Sequence, residues 1–271
     1  MIFSMLAAVA AVAWNTPTEP FRIVDGVYYV GTEGLAAYLF VTPKGLILLD
    51  GGTPEAAPLI EANVVKLGYA VSDVKILLNS HAHFDHSGGL ARLKVDTGAR
   101  LHAMAGDRSA LEGGFYLGSE ADASMAAPPV KVDRVLRDGA KVTLGGVTLT
   151  AHLTPGHSRG CTSWAFPAVD AGKRVAGLVF CSATVAANRI TPPLQYPGIV
   201  ADYRRTFAKV KRMKVDVPLA PHPEFFDELA KRDRAKADPQ APNPFVAPGE
   251  LRPFIEQAEA DFERTLKERT R

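Results

Sequence analysis

The chain has little of what nucleic-acid-binding, membrane-spanning or cysteine-rich proteins are built from. Its 31 basic and 29 acidic residues nearly cancel to a formal net charge of +2, and no long basic run occurs, so nucleic acid is not an expected partner. The apolar N-terminal stretch 1–14 is too short to span a bilayer comfortably. Only two cysteines occur among 271 residues, which excludes a framework of several disulfides. We expect Cys161 and Cys181 to be buried thiols on neighbouring strands, and a bridge between them is the alternative that the sequence leaves open.

The first residues are typical of an export signal. Ala-Val-Ala repeats suit a signal-peptidase site near Ala13, whereas the missing basic n-region points to a truncated or misassigned start. A buried N-terminal helix is the alternative. We expect residues 1–13 to be a signal peptide and residues 14–271 to form one domain, large enough at 47% hydrophobic residues to bury a core. The mature protein is then periplasmic, without stable membrane association, and we favour a monomer.

Residues 81–86, His-Ala-His-Phe-Asp-His, concentrate three imidazoles and a carboxylate directly after an apolar run, 74–79. Burying such groups side by side is costly unless a cation binds them. Imidazole nitrogens and carboxylate oxygens are ligands that zinc accepts at about 2.0–2.2 Å. We therefore predict a metal site here, rather than a polar loop that happens to be rich in histidine.

Four donors at this spacing can hardly converge on one ion, because they leave the chain in different directions. Two further histidines follow predicted strand ends, where catalytic groups of layered α/β proteins collect: His157 in a Pro-Gly turn and His222 beyond an apolar run. Since two such sets each leave a coordination position open, the site is predicted to be catalytic rather than structural. The predicted sets are His81, His83 and His157 for a first zinc, and Asp85, His86 and His222 for a second.

The remaining candidate residues receive less specific assignments. We expect His102 and His152 to be structural or surface imidazoles, with His152 as a candidate neighbour of the ligands. Asp50, at a strand end before two glycines, is either a carboxylate that orients residues 81–86, here called the metal loop, or a simple turn former. Segments 105–129 and 185–200 are candidate walls of a substrate cleft.

Periodicity predicts an α/β fold in which strands followed by outer helices occur twice, as in an αββα sandwich of two mixed sheets. A 3–4 spacing of apolar residues near the C-terminus predicts an amphipathic docking helix. The predicted strands are 21–24, 27–30, 35–41, 46–50, 75–79, 99–104, 130–136, 140–144, 147–153, 161–166, 174–181 and 215–219, and the predicted helices are 54–67, one from the metal loop to Thr97, and 199–213.

These motifs resemble the metallo-β-lactamase superfamily, and more narrowly the third subclass of class B β-lactamases. The hexapeptide carries the superfamily resemblance, and the subclass resemblance rests on further stretches from about residue 14 to the end: 14–21, 79–83, 156–164, 180–182 and 221–223. The resemblance implies two zinc ions per chain, hydrolysis of the β-lactam amide by a zinc-bound hydroxide that Asp85 helps to orient, and contact of Ser182 and Thr184 with the substrate carboxylate.

One position separates the subclass from other hydrolases of the superfamily, many of which place a metal-bridging aspartate at the end of a late strand. Here no carboxylate lies between Asp170 and Asp202, which argues against a thioesterase or nuclease of the usual type. In the register that we favour, the serine of the third subclass is Ser182. A register shifted by one residue would instead make Cys181 a zinc ligand, as in other lactamase subclasses.

The sequence therefore predicts a di-zinc β-lactamase acting on penicillins, cephalosporins or carbapenems. Another hydrolase of this fold, such as a lactonase or thioesterase, is the alternative, and a non-catalytic zinc-binding scaffold is a third. A serine hydrolase is the competing mechanism, and its nucleophile lies in a Gly-x-Ser-x-Gly turn between a strand and a helix. We expect no such nucleophile elbow here.

Overall fold

The computed structural model describes residues 14–270, so the predicted signal peptide, 1–13, lies outside the described residues. Two β-sheets lie face to face and helices cover their outer surfaces. In the first sheet the strands follow chain order; the first four are antiparallel and the last four of the seven are parallel. They are β1 (Phe21–Val24), β2 (Val27–Tyr29), β3 (Tyr38–Thr42), β4 (Gly45–Leu49), β5 (Val74–Leu78), β6 (Arg100–Met104) and β7 (Arg134–Leu136).

The second sheet has five strands in the order β12-β11-β10-β9-β8, antiparallel except for the parallel pair β11 and β12. Its strands are β8 (Lys141–Leu144), β9 (Val147–Leu153), β10 (Thr162–Asp170), β11 (Lys173–Val179) and β12 (Val217–Leu219). The α-helices are α1 (Ala57–Lys66), α2 (Phe84–Ser87), α3 (Leu90–Thr97), α4 (Arg108–Gly113), α5 (Ile199–Val210), α6 (Glu228–Ala237) and α7 (Leu251–Thr270). Short 3₁₀ turns are Val71–Asp73, Ala105–Asp107, Ala123–Met125 and Pro223–Phe226.

The hydrophobic core has three layers, which confirms the predicted αββα sandwich. The central layer joins the inner faces of both sheets, for example through Phe40 and Phe166, whose ring centroids are 5.0 Å apart. One outer layer packs α1 and α3 on the first sheet, and the other packs α5 and α7 on the second. Each fully buried large apolar side chain contributes about 1.5–3 kcal/mol, so these layers supply most of the driving force for folding.

The predicted long helix after the metal loop is wrong, because it is interrupted at Gly88 and Gly89. The segment 50–53 crosses there, and a Cβ on Gly89 would lie 2.3 Å from the carbonyl oxygen of Gly51. Hydrogen bonds from Gly51 N to His86 O and from Gly89 N to Gly52 O hold the crossing. The break leaves α2 as a single turn that carries two of the predicted ligands.

The C-terminal amphipathic helix is present as α7, which buries Leu251, Ile255 and Phe262 against the second sheet and α5. Within residues 14–270, none of the helices combines the length and apolar character needed to cross a membrane.

Candidate metal centre

The predicted ligands lie at one edge of the sandwich, where three strands end. His81 and His83 follow β5, His157 follows β9, and His222 follows β12. The Gly156 backbone has φ +134°, and a Cβ there would lie 2.7 Å from the Tyr203 ring, so glycine is required in the turn that aims His157.

Three imidazoles form the first cluster. Ring nitrogens of His81, His83 and His157 that could bind a metal all lie within 4.8 Å of one another, and the Nε2 atoms of His81 and His157 are 3.1 Å apart. All three side chains are buried. The structure thus brings together the residues that the sequence assigned to the first zinc.

Asp85, His86 and His222 form the second cluster. The Nε2 atoms of His86 and His222 are 3.2 Å apart, and Asp85 Oδ2 lies 3.2 Å from the former and 3.5 Å from the latter. The two clusters adjoin, since the His81 and His86 ring centroids are 4.4 Å apart. A pair of metal ions at neighbouring positions fits this arrangement.

The donor geometry fits zinc. Two ligand atoms on a tetrahedral ion with bonds of about 2.0–2.1 Å are about 3.3 Å apart, which is close to the separations in both clusters. His157 Nδ1 lies 2.8 Å from the carbonyl oxygen of Thr184, so a neutral His157 donates from Nδ1 and carries its lone pair on Nε2, toward His81. The sites are also free of competing thiolates, because Cys161 and Cys181 are joined in a disulfide.

Electrostatics keep the first cluster neutral. Burial lowers the pKa of His81 and His83 well below the ordinary value, assisted by neighbouring imidazoles, and it lowers the pKa of His157 to about 4. Burial opposes ionisation of Asp85, but His86 and hydrogen bonds from His222 and His86 outweigh it and hold the pKa of Asp85 well below its usual range. Neutral imidazoles and an ionised carboxylate are the protonation states in which these groups bind a metal.

Asp50 orients the metal loop rather than only forming a turn. Its Oδ1 accepts hydrogen bonds from Ser80 N at 2.7 Å and from Asn79 Nδ2 at 3.1 Å, immediately before His81. The carboxylate is fully buried at the end of β4. Of the two interpretations of Asp50, these contacts support the orienting one.

Asp107 is a buried residue that the sequence arguments missed. Its Oδ2 accepts from Ala82 N at 3.0 Å and Ser158 Oγ at 2.7 Å, and its Oδ1 accepts from Gly160 N at 2.6 Å. It therefore ties the loop that carries His81 and His83 to the loop that carries His157. Nothing in the local sequence signals this role, because its partners lie 25 to 53 residues away.

Glu228 supports the third ligand-bearing loop. This fully buried carboxylate accepts from Ala220 N at 3.1 Å and from the Tyr38 hydroxyl at 2.7 Å. Burial raises the pKa of Glu228 to about 8, against these hydrogen bonds and nearby Lys231. Since Ala220 lies two residues before His222, Glu228 fixes the chain from which that ligand projects. Like Asp107, Glu228 was missed by the sequence arguments.

Parts of the two candidate wall segments do reach the metal centre. The Tyr116 ring stacks on His83 with centroids 4.3 Å apart, and its hydroxyl donates to Asn188 Oδ1 at 2.9 Å. Asn188 Nδ2 in turn donates to the carbonyl oxygen of His157 at 2.8 Å. On the other side, the Trp14 ring lies 6.2 Å from that of His222.

The predicted substrate contacts lie beside the first cluster. Ser182 follows β11 and is 2% exposed, whereas Thr184 is exposed, and their hydroxyl oxygens are 3.3 Å apart. Thr184 Oγ1 is 3.2 Å from His157 Nδ1. Of the two hydroxyls, only that of Thr184 is open to solvent.

The expectation of free thiols is wrong, and the alternative bridge between Cys161 and Cys181 is present, with Cα atoms 5.8 Å apart. The bridge connects the start of β10 to the chain just beyond β11, two antiparallel neighbours. Because its sulfur is bonded to Cys161, Cys181 has no thiolate to offer a zinc ion, which removes the shifted register.

The structure argues against the serine-hydrolase alternative. The letters of the pattern are present, because Gly156-His157-Ser158-Arg159-Gly160 matches Gly-x-Ser-x-Gly, so an expectation based on sequence absence of the pattern is wrong. The segment instead connects β9 to antiparallel β10, with no helix after it. Ser158 Oγ donates to Asp107, so it has no histidine base.

His102 and His152 lie outside both clusters. His102 is on β6 near Arg134 and Arg100, and burial followed by these charges lowers its pKa to about 4. His152, on β9, is influenced by Lys209 and Asp138, on the side of the sheet that α5 covers. The structural interpretation holds for both, and His152 is not a neighbour of the ligands.

An αββα sandwich with two adjoining histidine-rich clusters at one edge is typical of a class of metal-binding hydrolases. Comparison with known proteins identifies this class. The family model described as the metallo-β-lactamase superfamily matches residues 31–171. The chain belongs to the metallo-β-lactamase superfamily.

Within the superfamily the chain is similar to subclass B3. It is 49% identical to BJP-1, a subclass B3 metallo-β-lactamase of Bradyrhizobium japonicum, over 96% of this chain and 98% of that one, with a TM-score of 0.93. The FEZ-1 metallo-β-lactamase from Legionella gormanii is 40% identical over 93% of this chain and 97% of its own, with a TM-score of 0.89. The predicted family and subclass resemblance are therefore confirmed.

A hydroxyacylglutathione hydrolase from Hyphomonas neptunium is 30% identical over 119 residues, which are 44% of this chain and 38% of that protein. The chain thus spans about two fifths of the length of the curated relatives that it matches.

Proposed function

We propose that the protein is a di-zinc β-lactamase that hydrolyses the amide bond of penicillins, cephalosporins or carbapenems. The observation that carries the proposal is the likeness to subclass B3 enzymes over almost the whole of both chains. The six clustered donors add to it, because they provide two sets of three ligands at one edge of the fold.

In this proposal His81, His83 and His157 hold one zinc ion, and Asp85, His86 and His222 hold the other. Bound zinc would supply Lewis acidity and would lower the pKa of a coordinated water to about 7. Asp85 contributes the single negative charge of the six ligands, and its position between the clusters orients the attacking water. The Thr184 hydroxyl is placed to donate to the substrate carboxylate. Ser182 was predicted to share this contact, but it is buried, and its hydroxyl 3.3 Å away would instead position Thr184.

The compartment proposed is the periplasm. The bond between Cys161 and Cys181 supports this, since disulfides persist in exported proteins and are rare in a reducing cytosol.

The test is hydrolysis of a carbapenem and a cephalosporin by the purified protein, with added zinc and with a chelator. Turnover that disappears with the chelator and returns with zinc is expected. Zinc content of two ions per chain is measured on the same preparation by mass spectrometry. A protein that binds two zinc ions but opens neither ring would remove the β-lactamase proposal and keep the metal centre.

Thioester hydrolysis is the second candidate, favoured by the partial likeness to hydroxyacylglutathione hydrolases. The residues after β11 argue against thioester hydrolysis, since Cys181 and Ser182 lie where many such hydrolases have an aspartate that bridges the two metal ions. Assaying a glutathione thioester beside the β-lactams separates the two candidates directly.

A further inference from the structure

A cleft of about 280 Å³ lies between α7 and the chain that follows β11. Its walls are mainly apolar, and aromatic rings form one side, with Phe225 and Phe254 centroids 5.5 Å apart. Phe254 also packs edge-on against buried Phe180, with centroids 6.2 Å apart, so contact with the core holds this wall in place. Ala258 contributes the small side chain that leaves room between the rings.

Two residues that line the cleft contact histidines of the two clusters. Thr184 lines it, and the same hydroxyl oxygen is 3.2 Å from His157 Nδ1. Phe225 lines it too, with its ring centroid 5.4 Å from that of His222. A molecule that binds the Thr184 hydroxyl therefore has the cleft directly beside it.

The chemistry of the cleft favours an uncharged, apolar occupant. Its one acidic side chain, Asp261, already accepts a hydrogen bond from Gln257 at 3.0 Å and pairs with Arg264 at 2.7 Å. The volume is slightly below the range of about 300–1,000 Å³ typical of pockets that enclose a complete small ligand. The cleft thus fits a substituent of a substrate rather than the whole of it.

We propose that this cleft is a specificity subsite for an apolar substituent next to the ring carboxylate of the substrate. In a cephalosporin, position 3 is next to the ring carbon that carries the carboxylate. Because Thr184 both lines the cleft and is assigned to that carboxylate, the substituent at position 3 faces the cleft. The preferred substrates are then cephalosporins with an aromatic group at position 3. The inference rests on the proposed β-lactamase function and names the substrate class for the same site.

The test fills the cleft with Ala258→Trp. Its matched control is Ala260→Trp on the same helix, at an exposed position outside the cleft. Two cephalosporins with the same 7-acylamino group are compared, one with a methyl and one with a styryl group at position 3. We expect Ala258→Trp to reduce kcat/KM about tenfold or more for the styryl compound, mainly through KM, and to leave the methyl compound within about twofold.

Ala258→Leu, a smaller filling residue, is measured in parallel in case tryptophan disturbs the packing of α7, and circular dichroism checks the fold of each variant. Equal effects of the folded position-258 variants on both compounds, or no effect on either, would overturn the subsite while leaving the β-lactamase function intact. A wild-type protein that hydrolyses neither compound and no carbapenem would refute the proposed function and the subsite together, whereas hydrolysis of the carbapenem alone would overturn only the subsite.

Discussion

Asp85 lies within 3.5 Å of two imidazole nitrogens and is largely shielded from water. An ionised carboxylate in such a place is stable only if cations compensate for its lost hydration. Protonated His86 can do so in part, since Asp85 raises its pKa against the effect of burial. Two divalent ions would compensate more fully, and they would leave the imidazoles neutral.

Asp85→Ala should therefore remove one zinc equivalent per chain and nearly all hydrolysis. We expect a loss in kcat above about 100-fold, the upper range for groups that only orient ligands. Metal analysis and steady-state kinetics on one preparation check both results. Asp96→Ala, which removes an exposed carboxylate from α3, serves as the control. Two retained zinc ions with full turnover would contradict the ligand assignment.

Glu228 makes the stability of the folded protein depend on pH. Its pKa rises from the ordinary 4.5 to about 8 on burial, so the native state holds a proton that the unfolded chain releases above about pH 4.5. The stabilisation is complete below about pH 4.5 and is lost as the pH rises through about 8, by at most about 1.4 kcal/mol per pH unit.

Glu228→Gln keeps the shape and cannot titrate, so the free energy of unfolding of the variant should fall less between pH 5 and pH 8.5 than that of the wild type. Urea unfolding of both proteins in chelator provides the measurement. The histidines of the metal centre titrate in both proteins, and their contribution cancels in the difference. Parallel pH profiles would show that Glu228 is already ionised in the native state.

At the scale of elements, strand ends determine where the chemistry lies. β5, β9 and β12 each end before a ligand, and each loop is fixed by a side chain from elsewhere: Asp50 and Asp107 for the first, Asp107 for the second, and Glu228 for the third. The strands provide a rigid base, and the buried carboxylates satisfy the loop amides that the sheets leave unpaired.

The disulfide fixes the ends of β10 and β11 beside the metal loop. Closing a loop of 20 residues reduces the entropy of the unfolded chain and stabilises the fold by about 3 kcal/mol. The double variant Cys161→Ala with Cys181→Ala should lose about that free energy of unfolding in urea. As a control, a reductant should lower the unfolding midpoint of the wild type but not that of the variant; a wild type insensitive to reduction would contradict the expectation.

At the scale of the whole molecule, the two histidine-rich clusters form only because the two halves of the sandwich pack together. His81 and His157 are 76 residues apart in the chain, and His86 and His222 are 136 apart. The shared core between the sheets holds these segments at a fixed separation. The same packing places α7 beside Thr184 and Phe225 and thereby creates the apolar cleft next to the centre.

Much of this architecture is determined by the sequence itself. Alternating and 3–4 apolar spacings encode strands and helices through interactions between near neighbours, and the predicted sandwich follows from their order. The ligand types were likewise evident, because a buried run of His-x-His-x-Asp-His has few uses other than binding a cation. Gly88 and Gly89 show the limit of local periodicity: the helical pattern continues across them, but close approach of segment 50–53 interrupts the helix.

Only the tertiary structure decided which distant groups meet. The bond between Cys161 and Cys181, the bridging role of Asp107, the buried Glu228 and the cleft beside Ala258 all depend on contacts between segments many residues apart. Such contacts form when two sheets and their helices pack as one core, and no local pattern records which side chains will then be neighbours. The sequence therefore determined the kinds of side chain proposed as ligands and the layers of the fold, and packing determined the geometry in which they meet.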